Sequence, residues 1–194
     1  AFDWKTRLNK KKGINIESSK IIHFKQAFHG RSGYTMSLTN TDPIKVDYFP
    51  KFNWPRITNP ALKFPINDDV LSMVEKKEIL ALDEIKNAII QNPHDIAGLI
   101  IEPIQGEGGD NHFRDEFFIK LRNICDENDI LFILDEVQTG IGISGKMWCH
   151  EHNSVKPDII CFGKKTQVCG ILSSARIDEV ENNVFRKSSR INST

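Results

Sequence analysis

The sequence is constrained most strongly by a short apolar run that ends in two acidic residues, ILFILDEVQ from Ile130 to Gln138. An apolar run of this length is too short for a helix and is typical of a buried strand in a parallel sheet. Asp135 and Glu136 follow the run at once, so the strand ends in polar side chains. Open α/β sheets bind their ligands at such carboxyl ends. The run therefore predicts a buried strand with a binding site at its end.

A second apolar run, Ile159 to Phe162, ends just as abruptly in Gly163, Lys164 and Lys165. Neighbouring strands with these ends would present an acid and an amine to one cavity. Such a pair can hold pyridoxal phosphate (PLP), because the lysine forms a Schiff base and the aspartate keeps the pyridine nitrogen protonated. Each signal alone has a plainer interpretation: an acidic pair after a strand is often a helix cap or a magnesium ligand, and paired lysines are usually solvated.

The composition is that of an ordinary globular protein. Of the 194 residues, 39% are hydrophobic and 27% are charged, which is enough apolar material for the core of one domain. Twenty-six basic residues balance twenty-six acidic ones, so the net charge favours neither nucleic acid nor an anionic membrane as a partner. No stretch reaches the ~18 apolar residues of a membrane span, and the N-terminus lacks the apolar region of a signal peptide.

The four cysteines are scattered along the chain without the spacing of a zinc site. Two of them lie in apolar runs, which favours reduced thiols in the core. We therefore expect a cytoplasmic protein with no metal site.

The segment LDEVQTGIGISGKMW, followed by PDIICFGKK and TQVCG, resembles the signature of the class III aminotransferases, a family of the fold-type I PLP enzymes. This resemblance covers essentially the whole chain. It implies an α/β fold with a mainly parallel sheet flanked by helices, the central part of the large PLP-binding domain. Residues 1–194 would be a fragment of that domain, without the phosphate-binding loop that precedes this region in full-length relatives and without their small C-terminal domain. The parent enzyme would be a homodimer.

The resemblance also implies roles for individual residues. Lys164 would form the Schiff base, because the family pattern has a small residue before this lysine and Gly163 precedes Lys164; Lys165 is the alternative. The residues expected around PLP are Asp135 at the pyridine nitrogen, Gln138 at the phenolic oxygen, Val137 and Phe28 on opposite ring faces, Glu102 at a third strand end, and Thr194 at the phosphate held by the neighbouring subunit.

Two further segments carry residues that would bind substrate. In AFHGRSGYTMSLTNT, Arg31 offers a planar pair of donors that matches a carboxylate. By resemblance, it would hold the substrate carboxylate as in the branch of the family that uses ω-amino acids. In EPIQGEGG, Glu107 would cover or release an arginine that accepts 2-oxoglutarate. Taken alone, an arginine is usually a surface residue and a glycine-rich loop is common.

Within the family, FHGRSGYTMSLTNT and FGKKTQVCG are most similar to the branch that acts on L-lysine. That branch transfers the ε-amino group to 2-oxoglutarate and yields 2-aminoadipate 6-semialdehyde and glutamate. The 4-aminobutyrate branch shares the double lysine and the arginine, so it is the nearest alternative. An inactive piece that keeps only the fold is the other alternative.

The rest of the pattern predicts the elements that carry these residues. The expected strand that ends at Ile101 just before Glu102, the helix at Asp115 to Asp129 and the strand that begins at Ile130 give a β-α-β succession and hence a right-handed crossover. The predicted elements are a helix ending near Leu8, a strand at Lys20 to Phe24, a proline-rich extended excursion from Thr41 to Asp69 held down by Phe49, Phe52 and Trp54, a helix at Leu82 to Gln91, a strand at Gly98 to Ile101, a helix at Asp115 to Asp129, a loop at Thr139 to Gly145 and a strand at Gly170 to Ile177.

Overall fold

Six strands form a single sheet in the computed structural model of the protein, which describes residues 1–187. The strands are β1 (Lys20–Phe24), β2 (Arg56–Ile57), β3 (Ile96–Ile101), β4 (Leu131–Asp135), β5 (Ile159–Phe162) and β6 (Gly170–Ser173). Their order across the sheet is β2-β1-β3-β4-β5-β6. All neighbours run parallel except β5 and β6, which are antiparallel.

Helices cover both faces of the sheet and bury the central strands completely. They are α1 (Phe2–Lys11), α2 (Asp68–Gln91), α3 (Asp115–Glu127) and the short α4 (Val184–Lys187). Every residue of β3 and β4 is buried. Side chains alternate along the strands, apart from a register shift at Ala97 of β3, and two separate cores form. One core joins α2 and α3 to Ile22, Phe24, Leu99, Ile101, Phe132 and Leu134, and the other joins α1 to Ile21, Ala97, Ile100, Leu131 and Ile133.

Helix α2 begins much earlier than the sequence pattern predicts. Asn67 caps it by accepting a hydrogen bond from the backbone N–H of Val70 at 2.9 Å, and two aspartates follow in the first turn, where the helix dipole favours negative charge. The periodicity is blurred because Ile79 and Leu80 are half exposed. Only the second half of α2, from Leu82 onward, shows a clear apolar face in the sequence.

The proline-rich segment contains a strand that the sequence does not reveal. β2 is two residues long and lies at the edge of the sheet, beside β1. Of the three aromatic side chains expected to anchor the segment, only Trp54 is buried. Phe52 stacks on Trp54 with ring centroids 5.2 Å apart but is half exposed, and Phe49 is also half exposed.

The last strand, β6, is shorter than predicted and runs antiparallel to its neighbour β5. β6 ends at Ser173, and a 3₁₀ helix, Ala175–Glu179, follows it. The connection from β5 to β6 spans residues 163–169, which is too short for a parallel crossover of roughly a dozen residues. The antiparallel direction of β6 follows from that length.

The four cysteines are free thiols, of which Cys125 and Cys149 are buried and Cys169 is exposed. Burial raises the pKa of Cys125 and of Cys161 to about 12, so both thiols are protonated at neutral pH. Within residues 1–187, no helix has the length and apolar character needed to cross a membrane. In the same residues, no group of three or more His, Cys, Asp or Glu side chains is arranged to hold a metal ion.

Candidate active site

The candidate site lies where the carboxyl ends of the parallel strands meet. The chain passes from β1 to β2 on one side and then to β3 on the other, so the strand order reverses between β1 and β3. Ligands of open α/β sheets bind outside the strand ends at such a switch point. Glu102 follows β3, Asp135 ends β4, and Lys164 comes shortly after β5. These three side chains therefore arise at the same edge of the sheet.

Asp135 is nearly buried, and both of its carboxylate oxygens are hydrogen-bonded. Oδ2 lies 2.7 Å from Nδ1 of His29, and Oδ1 accepts from the backbone N–H of Val137 at 3.1 Å. The side chain of His29 is 1% exposed, and its Nε2 is buried without a hydrogen-bond partner among residues 1–187. A carboxylate can only accept here, so we assign the proton to Nδ1. Each carboxylate oxygen keeps a lone pair for a ligand.

Glu102 connects the end of β3 to the segment that follows β1. Its Oε1 accepts from the backbone N–H of Phe28 at 2.9 Å, and its side chain is buried. Burial raises the pKa of Glu102 to about 7, against the opposing effects of the nearby His29 and of the Phe28 N–H. Glu102 thus fixes the backbone of Phe28, and in this way positions the aromatic ring expected to pack on the cofactor.

Both candidate lysines reach Gln138, just beyond the end of β4. Lys164 Nζ donates to Gln138 Oε1 at 2.8 Å, and the backbone N–H of Lys164 donates to Val137 O at 3.3 Å. Lys165 Nζ donates to the backbone carbonyl of Gln138. Because both amines contact Gln138, the geometry does not distinguish between them, and the assignment of Lys164 as the Schiff-base lysine stays a prediction.

Two glycines allow close approach of the backbone around this end of β4. A Cβ on Gly106 would lie 2.3 Å from Nε2 of Gln138, and a Cβ on Gly163 would lie 2.7 Å from Sγ of Cys169. Distances this short are clashes, so neither position accepts a side chain without movement of its neighbour. The absence of a side chain before Lys164 therefore has a physical reason here.

Charged side chains gather around Glu107 at the exposed side of the site. Glu107 forms an ion pair with Lys45, and the hydrogen bond and charge of Lys45 hold the pKa of Glu107 below its ordinary value. The charges of Lys164 and Arg31 act in the same direction. Arg31 is exposed. The charge of Arg31, the other expected substrate-binding residue, therefore acts on Glu107, as does that of Lys164.

These residues fit PLP in the chemistry of their donor set. A buried carboxylate held by His29 suits a pyridinium nitrogen, an amine follows the adjacent strand, and the amide of Gln138 has the space that Gly106 leaves for it. Thr194, which the sequence assigns to the phosphate, lies outside the described residues.

His29 and Lys45 were missed in the sequence. His29 immediately follows Phe28 in the FHGR segment. The available signal was a histidine close behind a strand end in a segment already assigned to the site. Lys45 ends a 3₁₀ helix, Pro43–Lys45, within the proline-rich excursion, and nothing in that segment marks it as a site residue.

The fold and the candidate site define an α/β protein with polar and charged side chains at the ends of its parallel strands. Comparison with known proteins gives the family. Residues 2–189 match the family described as aminotransferase class-III, and the chain belongs to it. L-lysine-epsilon aminotransferase from Mycobacterium tuberculosis is 51% identical over 195 residues, 100% of this chain and 43% of that protein. 4-Aminobutyrate aminotransferase from Emericella nidulans is 41% identical over 152 residues, 77% of this chain and 30% of that protein.

A solved structure gives the same result for the fold. The structure of lysine aminotransferase from M. tuberculosis in the internal aldimine form matches with a TM-score of 0.94 at 50% identity, covering 100% of this chain and 44% of that one. The predicted fold class, a mainly parallel α/β sheet of fold-type I, is confirmed. The chain spans less than half the length of these relatives.

Proposed function

We propose that this chain is the central part of the PLP-binding domain of an L-lysine 6-aminotransferase. The parent enzyme would transfer the ε-amino group of L-lysine to 2-oxoglutarate, giving 2-aminoadipate 6-semialdehyde and glutamate. The observation that carries the proposal is the hydrogen-bonded Asp135 and the amine of Lys164 at the ends of neighbouring parallel strands. Similarity to lysine aminotransferases over the whole chain supports the choice of substrate.

In this proposal each site residue has a separate task. PLP, when bound, supplies an electron sink that stabilises negative charge at the carbon bearing the amino group. Asp135, oriented by His29, would hold a proton on the pyridine nitrogen. The Nζ atom of Lys164 would bind the cofactor and move a proton to and from the amine-bearing carbon of the substrate. Gln138 would donate to the phenolic oxygen.

Other residues would hold the ring and the substrate in place. Phe28 and Val137 would pack on opposite faces of the ring and exclude water from them. Arg31 would bind the lysine carboxylate remote from the reacting amine, since a guanidinium matches a carboxylate with two donors. Thr194 would donate to the phosphate bound by the neighbouring subunit of a cytoplasmic homodimer.

The second candidate is a 4-aminobutyrate aminotransferase. The 41% identity to such enzymes favours it, and Arg31 suits the carboxylate of 4-aminobutyrate equally well. The test that separates the two candidates is the rate at which each amino acid is turned over, measured with a protein that spans the full length of the relatives. Faster turnover of L-lysine than of 4-aminobutyrate supports the proposal, and the reverse supports the second candidate.

Cofactor binding by the chain itself is the direct test. PLP is added to the wild-type chain, to Lys164→Ala and to Lys165→Ala, and uptake is followed by visible absorbance and by borohydride reduction with peptide mapping. We expect label on Lys164 in the wild type and in Lys165→Ala, and loss of label in Lys164→Ala. Label on Lys165 would overturn the assignment of the lysine. A wild-type chain that is folded by circular dichroism but takes up no PLP would support the inactive-piece alternative.

A further inference from the structure

Glu136, which directly follows β4, has no task in the proposed chemistry, yet its side chain is completely buried. Four donors meet its carboxylate. Oε1 accepts from the backbone N–H of His150 at 2.9 Å and lies 2.8 Å from Nδ1 of the same residue. Oε2 accepts from the backbone N–H of Cys149 at 2.8 Å and from the hydroxyl of Thr139 at 3.1 Å. Both oxygens are saturated, so Glu136 acts on its neighbours and not on a ligand.

The side chain of Glu136 is held in its charged form. Burial acts to raise the pKa of Glu136, but the hydrogen bonds from His150 and Cys149 outweigh burial and hold this pKa below its ordinary value. Hydrogen bonds to an ionised acceptor are stronger than those between neutral groups. The carboxylate is therefore a firm anchor for the residues around it.

The main chain of Glu136 closes a turn, residues 136–140. Its N–H donates to the carbonyl of Cys161 in β5 at 2.9 Å, and its own carbonyl accepts from the backbone N–H of Gly140 at 2.9 Å. A Cβ on Gly140 would lie 2.9 Å from that carbonyl oxygen, so the turn closes this tightly because position 140 has no side chain. The hydroxyl of Thr139 ties the same turn to the carboxylate. The 136–140 turn is therefore fixed by main-chain and side-chain bonds together.

The 136–140 turn carries the acceptors of both candidate lysines, and the two acceptors differ in kind. Lys164 Nζ donates to the side-chain oxygen of Gln138 at 2.8 Å, whereas Lys165 Nζ donates to the backbone oxygen of Gln138. A side-chain amide can rotate away and release its donor. A backbone oxygen moves only when the turn moves, and Glu136 prevents that movement. Contact with Gln138 alone does not decide between the lysines, but the fixed turn makes Lys164 the amine that is easier to release.

We infer that Glu136 is a positioning residue that selects the reactive lysine. By locking the 136–140 turn, it keeps Lys165 on the backbone oxygen of Gln138 and leaves Lys164 available to an aldehyde. The inference rests on the proposed function in one respect, since that aldehyde would be PLP. The saturated carboxylate, the closed turn and the two different acceptors carry it independently of the cofactor.

The test is trace acetylation of the chain with acetic anhydride, which reacts with free amines. Tandem mass spectrometry of chymotryptic peptides gives the reactivity of each lysine relative to Lys86, an exposed residue of α2. In Glu136→Gln, an NH₂ group faces two of the four donors and the turn opens. We expect the reactivity of Lys165 to rise about fivefold, the factor for loss of one ordinary hydrogen bond, and that of Lys164 to change less than about twofold.

Gln138→Leu should have the converse effect, because it removes the side-chain oxygen and keeps the backbone oxygen. The reactivity of Lys164 should rise while that of Lys165 stays at the wild-type level. A merely structural role of Glu136 predicts instead that both lysines become more reactive in Glu136→Gln, since general loosening does not distinguish between the two acceptors.

A milder pair of variants covers the case in which Glu136→Gln does not fold. Thr139→Val removes one of the four bonds with little change of shape and should raise the reactivity of Lys165 by a smaller factor, whereas Thr139→Ser keeps the hydroxyl and should behave like the wild type. Glu151→Gln is the matched control. Glu151 is an exposed acid that accepts one bond, from the backbone N–H of Trp148 at 2.8 Å, and a glutamine oxygen can still accept it.

The inference is wrong if folded Glu136→Gln leaves Lys165 unchanged or activates both lysines equally, or if Thr139→Ser and Thr139→Val have the same effect. A rise of Lys165 reactivity in Glu151→Gln equal to that in Glu136→Gln would also overturn it. Acetylation needs neither PLP nor turnover. A chain that gives the expected pattern but takes up no PLP therefore disproves only the proposed function.

Discussion

His29 is the residue that most affects how Asp135 can act. The contact joins two residues 106 positions apart, and both side chains are withdrawn from solvent. Because the imidazole Nδ1–H donates to Oδ2, the carboxylate cannot rotate freely. Its remaining lone pairs therefore keep a fixed direction, which a pyridinium nitrogen requires of its partner. His29 is in this sense a positioning residue rather than a catalytic one.

We predict that His29→Ala weakens PLP binding roughly thirtyfold, because a hydrogen bond to a charged group is worth about 2 kcal/mol. His29→Asn should lose much less, since the asparagine Nδ2 can occupy the place of the imidazole Nδ1. The dissociation constant for PLP, from absorbance titration, checks both. His152→Ala, at an exposed histidine, is the control and should leave the constant unchanged.

Equal losses in His29→Ala and His29→Asn would contradict this role, because they would mean that the imidazole contributes packing alone. Thermal unfolding without PLP separates the two effects. A packing role lowers the melting temperature in both variants, whereas the positioning role affects PLP binding in the alanine variant.

At this scale the sequence reveals residues that end strands and conceals those that reach the site from loops. Asp135 and Lys164 are visible because each interrupts an apolar run abruptly. His29 and Lys45 depend on contacts with Asp135 and Glu107 that join distant parts of the chain. No local pattern encodes such contacts, because they depend on how the segment after β1 meets the end of β4 and the loop after β3.

At the scale of elements, Glu102 joins two neighbouring strands of the sheet at the switch point. It follows β3, and it accepts a hydrogen bond from the backbone of the segment after β1. Its burial makes the ionised form costly, and the pKa of Glu102 is raised to about 7 for that reason. The link between the two strand ends is therefore sensitive to pH.

The raised pKa predicts the direction of that sensitivity. An acid whose pKa is higher in the folded chain, about 7 against 4.5, holds its proton better when folded, so the stabilisation is complete below pH 4.5 and is lost as the pH rises through 7. The free energy of unfolding should fall by up to about 3 kcal/mol across this window. In Glu102→Gln, which keeps an acceptor for the Phe28 N–H, this contribution should disappear.

Urea unfolding at a series of pH values between 4 and 8, spaced by about one pH unit, measures the effect through the linkage of protonation to stability. Glu127→Gln, at an exposed position of α3, is the control and should keep the slope of the wild type. A Glu102→Gln chain with the same pH dependence as the wild type would show that another group is responsible.

Secondary-structure elements could be predicted from the sequence where their burial produces a distinct pattern of apolar residues. β4 and β5 read as strands because continuous apolar runs of that length fit a sheet covered on both faces. β2 was missed because two residues carry no periodicity, and prolines flank them. The antiparallel direction of β6 could have been predicted, since the length of its connection is visible in the sequence.

Across the whole molecule, ion pairs that are largely shielded from water join separate elements of the fold. Arg114, which precedes α3, forms a two-pronged pair with Glu78 of α2, at 2.8 and 3.0 Å. Glu78 is 1% exposed, and the pair raises the pKa of Arg114 above its ordinary value. Since α2 and α3 cover the same face of the sheet, this pair sets the position of one helix relative to the other.

The last prediction concerns the ion pair between Arg114 and Glu78, which joins α2 to the start of α3. Arg114→Leu should lower the free energy of unfolding by about 3 kcal/mol, because it leaves the buried carboxylate of Glu78 without its main partner. Lys120, whose Nζ is 3.7 Å from Glu78, compensates only in part because the distance is longer. Arg7→Leu breaks a more solvent-accessible pair, with Asp3, and should cost less than about 1 kcal/mol.

The double variant Arg114→Leu with Glu78→Leu distinguishes the loss of a buried charge partner from the loss of packing. Removing both charges leaves no unpaired carboxylate, so most of the stability lost in Arg114→Leu should return. Urea unfolding of the two single variants and the double variant provides the comparison. If the double variant is no more stable than Arg114→Leu, the contribution of Arg114 lies in its packing and not in its pair with Glu78, and the helices are aligned by the apolar core alone.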